Sequence, residues 1–388
     1  MKFVCWGDAH LWPITWKRFS QLRGDSEVAA RYVTEYASEK GLPILFAGDI
    51  FDHGESGAVA RELSLLRNMI GSTDFYYVVG NHESTGSTAG EENTPWLNVL
   101  NSYNIIHLQP DTDDYETGLS IAGLDYMPTE ELIPALDSLR ESLNGEKLDI
   151  LVCHQAIKEL FSMDGAYHVD CDQLSSIAHV VVSGHIHIPK VWEHNGTTFV
   201  SPGSTAVNNW GELVFSSGES VGANRGFYVI DYNDGKVTDV ERVIIPDSYQ
   251  RTFFDLEAMD AEGEADVLEA IRTYTPVEGL PPELRTALMR VRYKQASYSF
   301  AEEMRTLAAD NDIVLDLVPV HDATEVNKEL APFVSDSDDL TDSYSKIVDR
   351  HIDMSDEDSE LIKRTVFEIL NQGKPAETID RLVETITS

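Results

Sequence analysis

Five short polar clusters, each sitting at or just behind a run of apolar β-type residues, constrain this chain more than any other feature. Asp8-Ala9-His10 follows Lys2 to Gly7, and Gly48-Asp49-Ile50-Phe51-Asp52 follows Pro43 to Ala47. Gly80-Asn81-His82-Glu83 follows Phe75 to Val79, His154 follows Leu148 to Cys153, and Gly184-His185-Ile186-His187 follows His179 to Val182. Amphipathic helical stretches, such as Arg18 to Lys40 and Ala58 to Ile70, fall between these runs. Strand-like and helix-like segments in alternation predict a layered α/β architecture. In such sheets the strand ends gather along one edge, so clusters far apart in sequence can converge there.

Taken singly, each cluster has an ordinary explanation. A histidine at a strand end often serves only as a hydrogen-bonding group, and an aspartate after glycine often serves a turn. The ordered recurrence of all five is what points to chemistry. Carboxylate oxygen, imidazole nitrogen and an amide oxygen together suit Mn, Fe, Zn or Mg rather than a thiolate-seeking ion. Two such ions held roughly 3.5–4 Å apart would need a bridging carboxylate, and Asp49 is well placed for that part. Two cations at this spacing lower the pKa of a bound water and steady charge on attacking and leaving oxygens of a phosphoester.

The bulk properties narrow the setting. With 388 residues and 42% apolar content, the chain can build one large domain and a smaller one. No apolar run approaches the roughly 18 residues that a membrane span requires, and the first residues lack the layout of a secretory signal. Cys5, Cys153 and Cys171 are too few and too scattered for a disulfide framework or a thiolate site. The expectation is a soluble, cytoplasmic protein with no membrane partner. Acidic residues number 67 against 29 basic ones, a formal net charge of −38. Unaided binding to a bare polyanion is therefore disfavoured, because nucleic-acid affinity comes from neutralising phosphates with Lys and Arg. Metals, a local basic patch or a partner would have to hold any nucleic acid. Adaptation to a very salty cytoplasm is the other reading of this acidity.

Further along, Val191 to His194, Thr198 to Ser201, Phe227 to Asp231 and Val237 to Ile245 read as one closing antiparallel set of strands. After Pro246 the character changes: Phe253 to Leu256 and Ala287 to Tyr293 read as strands around a helix over Glu264 to Thr273, in a compact region ending near Val320. Ser335 to Asp342 reads as an acidic linker. A helix then starts at Ser355, an N-cap followed by acidic residues that suit the helix N-terminus, and stops at Gly373 and Pro375. A second carries Ile379, Leu382, Val383 and Ile386 at i, i+3, i+4, i+7 spacing. Such a hairpin either packs on its own domain or docks on another chain.

The order D-x-H, G-D-x-x-D, G-N-H-E, H, G-H-x-H over about the first 230 residues resembles the calcineurin-like metallophosphoesterase superfamily. The resemblance implies a layered α/β/β/α sandwich, a smaller α+β capping domain and C-terminal helices. The expected boundaries are 1–245 for the catalytic domain, 246–334 for the capping domain and 335–388 for the linker and partner-docking hairpin. It implies that Asp8, His10, Asp49 and His187 hold one divalent metal ion, and that Asp49, Asn81, His154 and His185 hold the other, with Mn the expected ion. His82 resembles the family's general acid, and Asp52 a carboxylate that orients a ligand.

Within the superfamily, GDIFD at Gly48 to Asp52, Ser201-Pro202-Gly203-Ser204 and Arg225 to Asp231 resemble the SbcD-type nuclease group, with a looser match after Pro246. That implies a DNA exonuclease or endonuclease subunit in double-strand-break repair and recombination. It also implies a coiled-coil ATPase of SbcC type docked on the C-terminal helices, and a homodimer formed through helices such as Ala58 to Ile70 and Thr94 to Asn101. Protein phosphatases of the superfamily place Arg after the second Asp and before the Asn motif; this chain has His53 and Val79-Gly80 there. A small-molecule or cyclic-nucleotide phosphodiesterase or phosphatase is the alternative reading.

Overall fold

The computed structural model describes residues 1–11, 19, 24–52, 59–84, 104–110, 117–160, 167–208, 210, 212, 225–294 and 298–320. The acidic linker, the C-terminal hairpin and the Thr94 to Asn101 helix of the sequence reading lie outside the described residues.

Two sheets and their flanking helices make four layers. The first sheet contains β1 (Lys2–Trp6), β2 (Ile44–Phe46), β3 (Phe75–Tyr77), β4 (Ile105–His107), β10 (Gly226–Asn233) and β11 (Lys236–Ile244), ordered β11-β10-β1-β2-β3-β4. The second contains β5 (Ile121–Leu124), β6 (Leu148–Cys153), β7 (Ala178–Ser183), β8 (Lys190–His194) and β9 (Thr197–Ser201), ordered β5-β6-β7-β9-β8. The pleat sorts side chains to opposite faces. Phe3 and Cys5 of β1 turn inward to meet Val152, Val180 and Val182 of the second sheet. Val4 and Trp6 turn outward, into the layer of helices α1 (Asp25–Lys40) and α2 (Val59–Ile70). On the far side, α4 (Thr129–Ser142) lays Leu132, Leu136 and Leu139 against Leu151 and Val181. The short helices α3 (Asn81–Ser84) and α5 (Cys171–Ser175) complete this region. The layers run α/β/β/α.

One expectation is corrected here. The stretch from Lys190 to Ile244 is not one closing set of strands: β8 and β9 pair antiparallel at the edge of the second sheet, whereas β10 and β11 pair antiparallel in the first. Local alternation marks a strand, but its partners are fixed by which buried face it must complete.

The residues after Pro246 form a third, all-parallel sheet, β12 (Phe253–Ala258), β13 (Ala287–Lys294) and β14 (Ile313–Val320), with crossover helices α6 (Ala261–Thr273) and α7 (Tyr298–Asp310). This unit is anchored to α1. Arg251, buried, forks onto both oxygens of Asp25 at 2.9 and 3.0 Å through Nε, and Val28 packs with Leu280 and Leu284. The remaining guanidinium N–H groups donate to the carbonyls of Thr286 and Glu283. A charge this deep in the protein is tolerated because it is paired with a carboxylate and bonded to two backbone carbonyls.

Candidate metal centre

The five clusters converge where β1, β2, β3, β6 and β7 end. Four of the residues adopt a backbone conformation rare for side chains other than glycine: Asp8 at φ 48°, His10 at 43°, Asp49 at 55° and His185 at 81°. Strain of this kind concentrates at functional sites, where surrounding structure holds it. Gly80 and Gly48 are required by close approach, and Gly48 also by its φ of 88°. A Cβ at Gly80 would stand 2.0 Å from Asp49 Oδ1, and one at Gly48 would stand 2.3 Å from His154 Nδ1.

Asp49 lies in the middle. Its Oδ2 is 3.2 Å from His154 Nε2, 3.6 Å from His10 Nε2 and 4.0 Å from His82 Nε2. To one side, His10 Nε2 and His187 Nε2 face each other at 3.1 Å, with Asp8 Oδ1 3.7 Å from His187. To the other, Asn81 Oδ1 is 3.1 Å from His154 Nε2 and 2.8 Å from His185 Nδ1. The structure thus brings together all seven residues named as metal ligands in the sequence reading.

The donor chemistry fits divalent ions. His10 gives its Nδ1–H to Asp52 at 3.2 Å, His187 gives its Nδ1–H to Glu212 at 2.8 Å, and His154 gives its Nδ1–H to the Ala47 carbonyl at 2.6 Å. Each bond leaves an Nε2 lone pair aimed inward, the arrangement by which a partner on the far ring nitrogen prepares a histidine ligand. Two lone pairs at 3.1 Å repel unless a cation or proton lies between them. Asp8 Oδ2 is buried and accepts no hydrogen bond from any described residue. Asp52 reaches Nδ1 of both His10 and His82, at 3.2 and 3.3 Å, so it orients both rings.

Charge in the metal-free chain follows the same geometry. Burial opposes ionisation of Asp49, yet His154, His10 and His82 hold its carboxyl far below the usual carboxylate range. Burial would also lower His154, but the Asp49 carboxylate raises it to about 9. His185 is pushed down to about 3, first by burial and then by His154 and His168. A ligand held protonated by its neighbour must release that proton on binding metal, so ion uptake is coupled to proton release.

Residues 1–189 match the family model described as calcineurin-like phosphoesterase. That stretch, just under half of the chain, is similar to the calcineurin-like phosphoesterase family. Among curated relatives, this chain is 25% identical over 214 residues to the DNA double-strand break repair protein Mre11 of Sulfurisphaera tokodaii, covering 52% of each chain. It is 26% identical over 231 residues to the protein of that name from Archaeoglobus fulgidus, covering 53% of this chain and 50% of the relative. The chain spans about half the length of the curated relatives it matches. Among solved structures, a Thermus thermophilus protein matches with TM-score 0.39 and 12% identity over 62% of this chain and 98% of that one. An archaeal phosphodiesterase matches with TM-score 0.31 and 15% identity over 63% and 100%.

Several residues of this site carry no signal in sequence spacing. Glu83 closes the G-N-H-E motif, yet its work is visible only in the fold: its buried carboxylate accepts from the backbone N–H of Asp49, Phe51 and Gly80 at 3.1, 2.7 and 2.7 Å. It ties two ligand loops together, and burial followed by the Asp49 charge pushes it up to about 8. Tyr126 and His168 flank His185, with ring centroids 5.6 and 5.1 Å away. His107, which has no motif partner in sequence, is bound to Asp125 at 2.9 Å. Asp125 also accepts from Val79 N at 2.8 Å and so steadies the strand that leads to Asn81. Glu212 and Arg225, behind His187, complete the set. Among the described residues, no helix is long and apolar enough to cross a membrane.

Proposed function

We propose that this chain is a two-metal phosphodiesterase, the DNA nuclease subunit of a cytoplasmic double-strand-break processing assembly. The observation that carries the reading is the position of Asp49, whose Oδ2 lies between the imidazole nitrogens of His154 at 3.2 Å and His10 at 3.6 Å, with ligand sets to either side. Asp8, His10, Asp49 and His187 would hold one ion, and Asp49, Asn81, His154 and His185 the other. Manganese fits this mixed oxygen and nitrogen set. When bound, such a pair supplies an activated water and charge stabilisation for an in-line displacement at phosphorus.

His82 is the proposed general acid. Its Nδ1–H is given to the Asp52 carbonyl at 2.7 Å, which fixes the ring and leaves Nε2 pointing toward the ligand side. Its side chain keeps 35% exposure, whereas Asp49 keeps 2%, so the imidazole can meet substrate while the bridge stays covered. Burial alone would lower its pKa, but the Asp52 bond and the Asp49 charge raise it, and the protonated ring would give its proton to a leaving alkoxide. No arginine pair follows the second Asp or precedes the Asn motif to clamp a phosphate monoester, and buried Arg225 is committed to Glu212 at 3.0 Å. This favours a diester over a monoester.

The relatives named as DNA double-strand break repair proteins support DNA as the substrate. A net charge of −38 argues that the chain does not hold DNA alone. An SbcC-type coiled-coil ATPase bound to the C-terminal helices would supply positive surface, the 246–334 region would cap the cleft, and α2 would contribute to a homodimer. The test is manganese-dependent hydrolysis of end-labelled double-stranded DNA, bis-p-nitrophenyl phosphate and a phosphate monoester, each with a His82→Ala control. Nucleotide release from DNA that disappears in the control is the expected result. Activity confined to the small esters would move the function to a small-molecule phosphodiesterase or phosphatase.

A further inference from the structure

Behind His187 lies a buried network that nothing in the motif pattern assigns. Glu212 Oε1 accepts the His187 Nδ1–H at 2.8 Å, while Oε2 accepts from Asn208 N at 3.1 Å and pairs with Arg225 Nη2 at 3.0 Å. Both side chains are largely covered, at 9% and 12% exposure. The geometry fixes the imidazole tautomer: a carboxylate on Nδ1 leaves the Nε2 lone pair facing His10 and Asp8.

The same short segment has a second attachment. Two residues before Glu212, the ring of Trp210 meets Phe253 of β12 edge-on at 6.4 Å and lies under the guanidinium of Arg290 of β13, 4.6 Å from the ring centroid. Arg290 is itself held by a fork to both oxygens of Asp255, with Nε 3.0 Å from Oδ1. Val207, just upstream, is buried with Phe253 and Leu288. One stretch of chain therefore carries, within a few residues, the orienting group of a proposed ligand and an aromatic anchor seated on the three-stranded sheet. Cation–π contacts of this geometry are strongest when desolvated.

We propose that Glu212 is the positioning residue of the Asp8/His10/His187 subsite, and that the three-stranded sheet holds Glu212 in place through Trp210 and Arg290. The inference rests on the two-metal reading. On this account the sheet after Pro246 sets the affinity of one of the two ions while leaving the other alone. Loss of a second-shell partner commonly weakens a metal site roughly 10–100-fold.

The experiment is a Mn(II) titration of the full chain, with free Mn(II) followed by electron paramagnetic resonance and thermal unfolding recorded for each variant. The unaltered chain should take up two ions, and Asp8→Ala should show what loss of the Asp8/His10/His187 subsite looks like. Glu212→Ala should weaken that same ion about 10–100-fold and leave the other unchanged. Arg290→Met, which alters the Trp210 and Asp255 contacts, should weaken it by a smaller factor. If Glu212→Ala does not fold, Glu212→Gln carries the comparison, because it keeps the volume but cannot serve both His187 and Asn208 as acceptor. Two unaltered ions in the folded Glu212 variant, or equal weakening of both, would overturn the positioning role. An unaltered Arg290→Met titration would overturn the part assigned to the sheet. A parent chain that binds no manganese would defeat the two-metal reading instead.

Discussion

The residues of the centre divide by what each can lose. Asp49 touches both halves, so Asp49→Ala removes the carboxylate that, among the described residues, faces His10, His82 and His154 together. His82 lies at the rim, bound through Nδ1 to Asp52. His82→Ala should therefore keep both ions and lose most turnover, by a factor of about 10²–10⁴ for a general acid, whereas Asp49→Ala should lose metal as well. Metal content by elemental analysis beside the hydrolysis rate checks this, and equal metal loss in both variants would contradict the role of His82. The positions of these residues were legible in the sequence because each follows closely on a strand run. Glu212, Arg225, Tyr126 and His168 were not, because they come from loops whose approach to the site depends on tertiary contacts. The role of the glycines was legible only in part: their position in the motifs was plain, but the 2.0 Å approach of a Gly80 Cβ to Asp49 belongs to the folded chain.

At the scale of elements, the apolar runs marked the strands that carry ligands, and these match β1, β2, β3, β6 and β7 within a residue or two. The short strands β4 and β5 escaped the sequence reading, since three or four residues give no readable period, and α4, α7 and β14 were not read as elements either. Contacts between elements are likewise invisible in sequence. Asp149 of β6 is one such contact: it accepts from Tyr232 Oη of β10, and from Ser120 N at 2.8 Å and Ser120 Oγ at 3.0 Å, joining the second sheet to the first. Burial raises its pKa, but the Tyr232 and Ser120 bonds outweigh burial and leave it below the ordinary aspartate value of 3.8. The folded carboxylate thus binds its proton less tightly than the unfolded one. Its contribution to stability is complete above pH 3.8 and fades as the pH falls through the lower folded value. Asp149→Ala should cost about 1.5–3 kcal/mol near neutral pH, the usual worth of hydrogen bonds to a charged group, and the deficit should shrink in more acidic buffer. Denaturant unfolding at several pH values measures this, and a deficit independent of pH would contradict the assignment.

For the whole molecule, the two packed sheets act as a rigid frame that brings five distant clusters to one edge, and the third sheet is fastened to that frame through Arg251 and Asp25. The α/β/β/α sandwich came from the family resemblance, whereas a layered α/β architecture was legible from alternation alone. The attachment of the third sheet was not, because a buried ion pair between positions 25 and 251 leaves no periodic trace. The strong negative charge of the chain is consistent with cations at the centre of its function and with a partner that carries DNA. The central claim is that this frame holds two metal ions bridged by Asp49. Anomalous X-ray diffraction from manganese-soaked crystals of the full chain tests it most directly. The account predicts two peaks about 3.5–4 Å apart, one among Asp8, His10 and His187 and the other among Asn81, His154 and His185, with Asp49 between them. A single peak, or peaks away from Asp49, would contradict it.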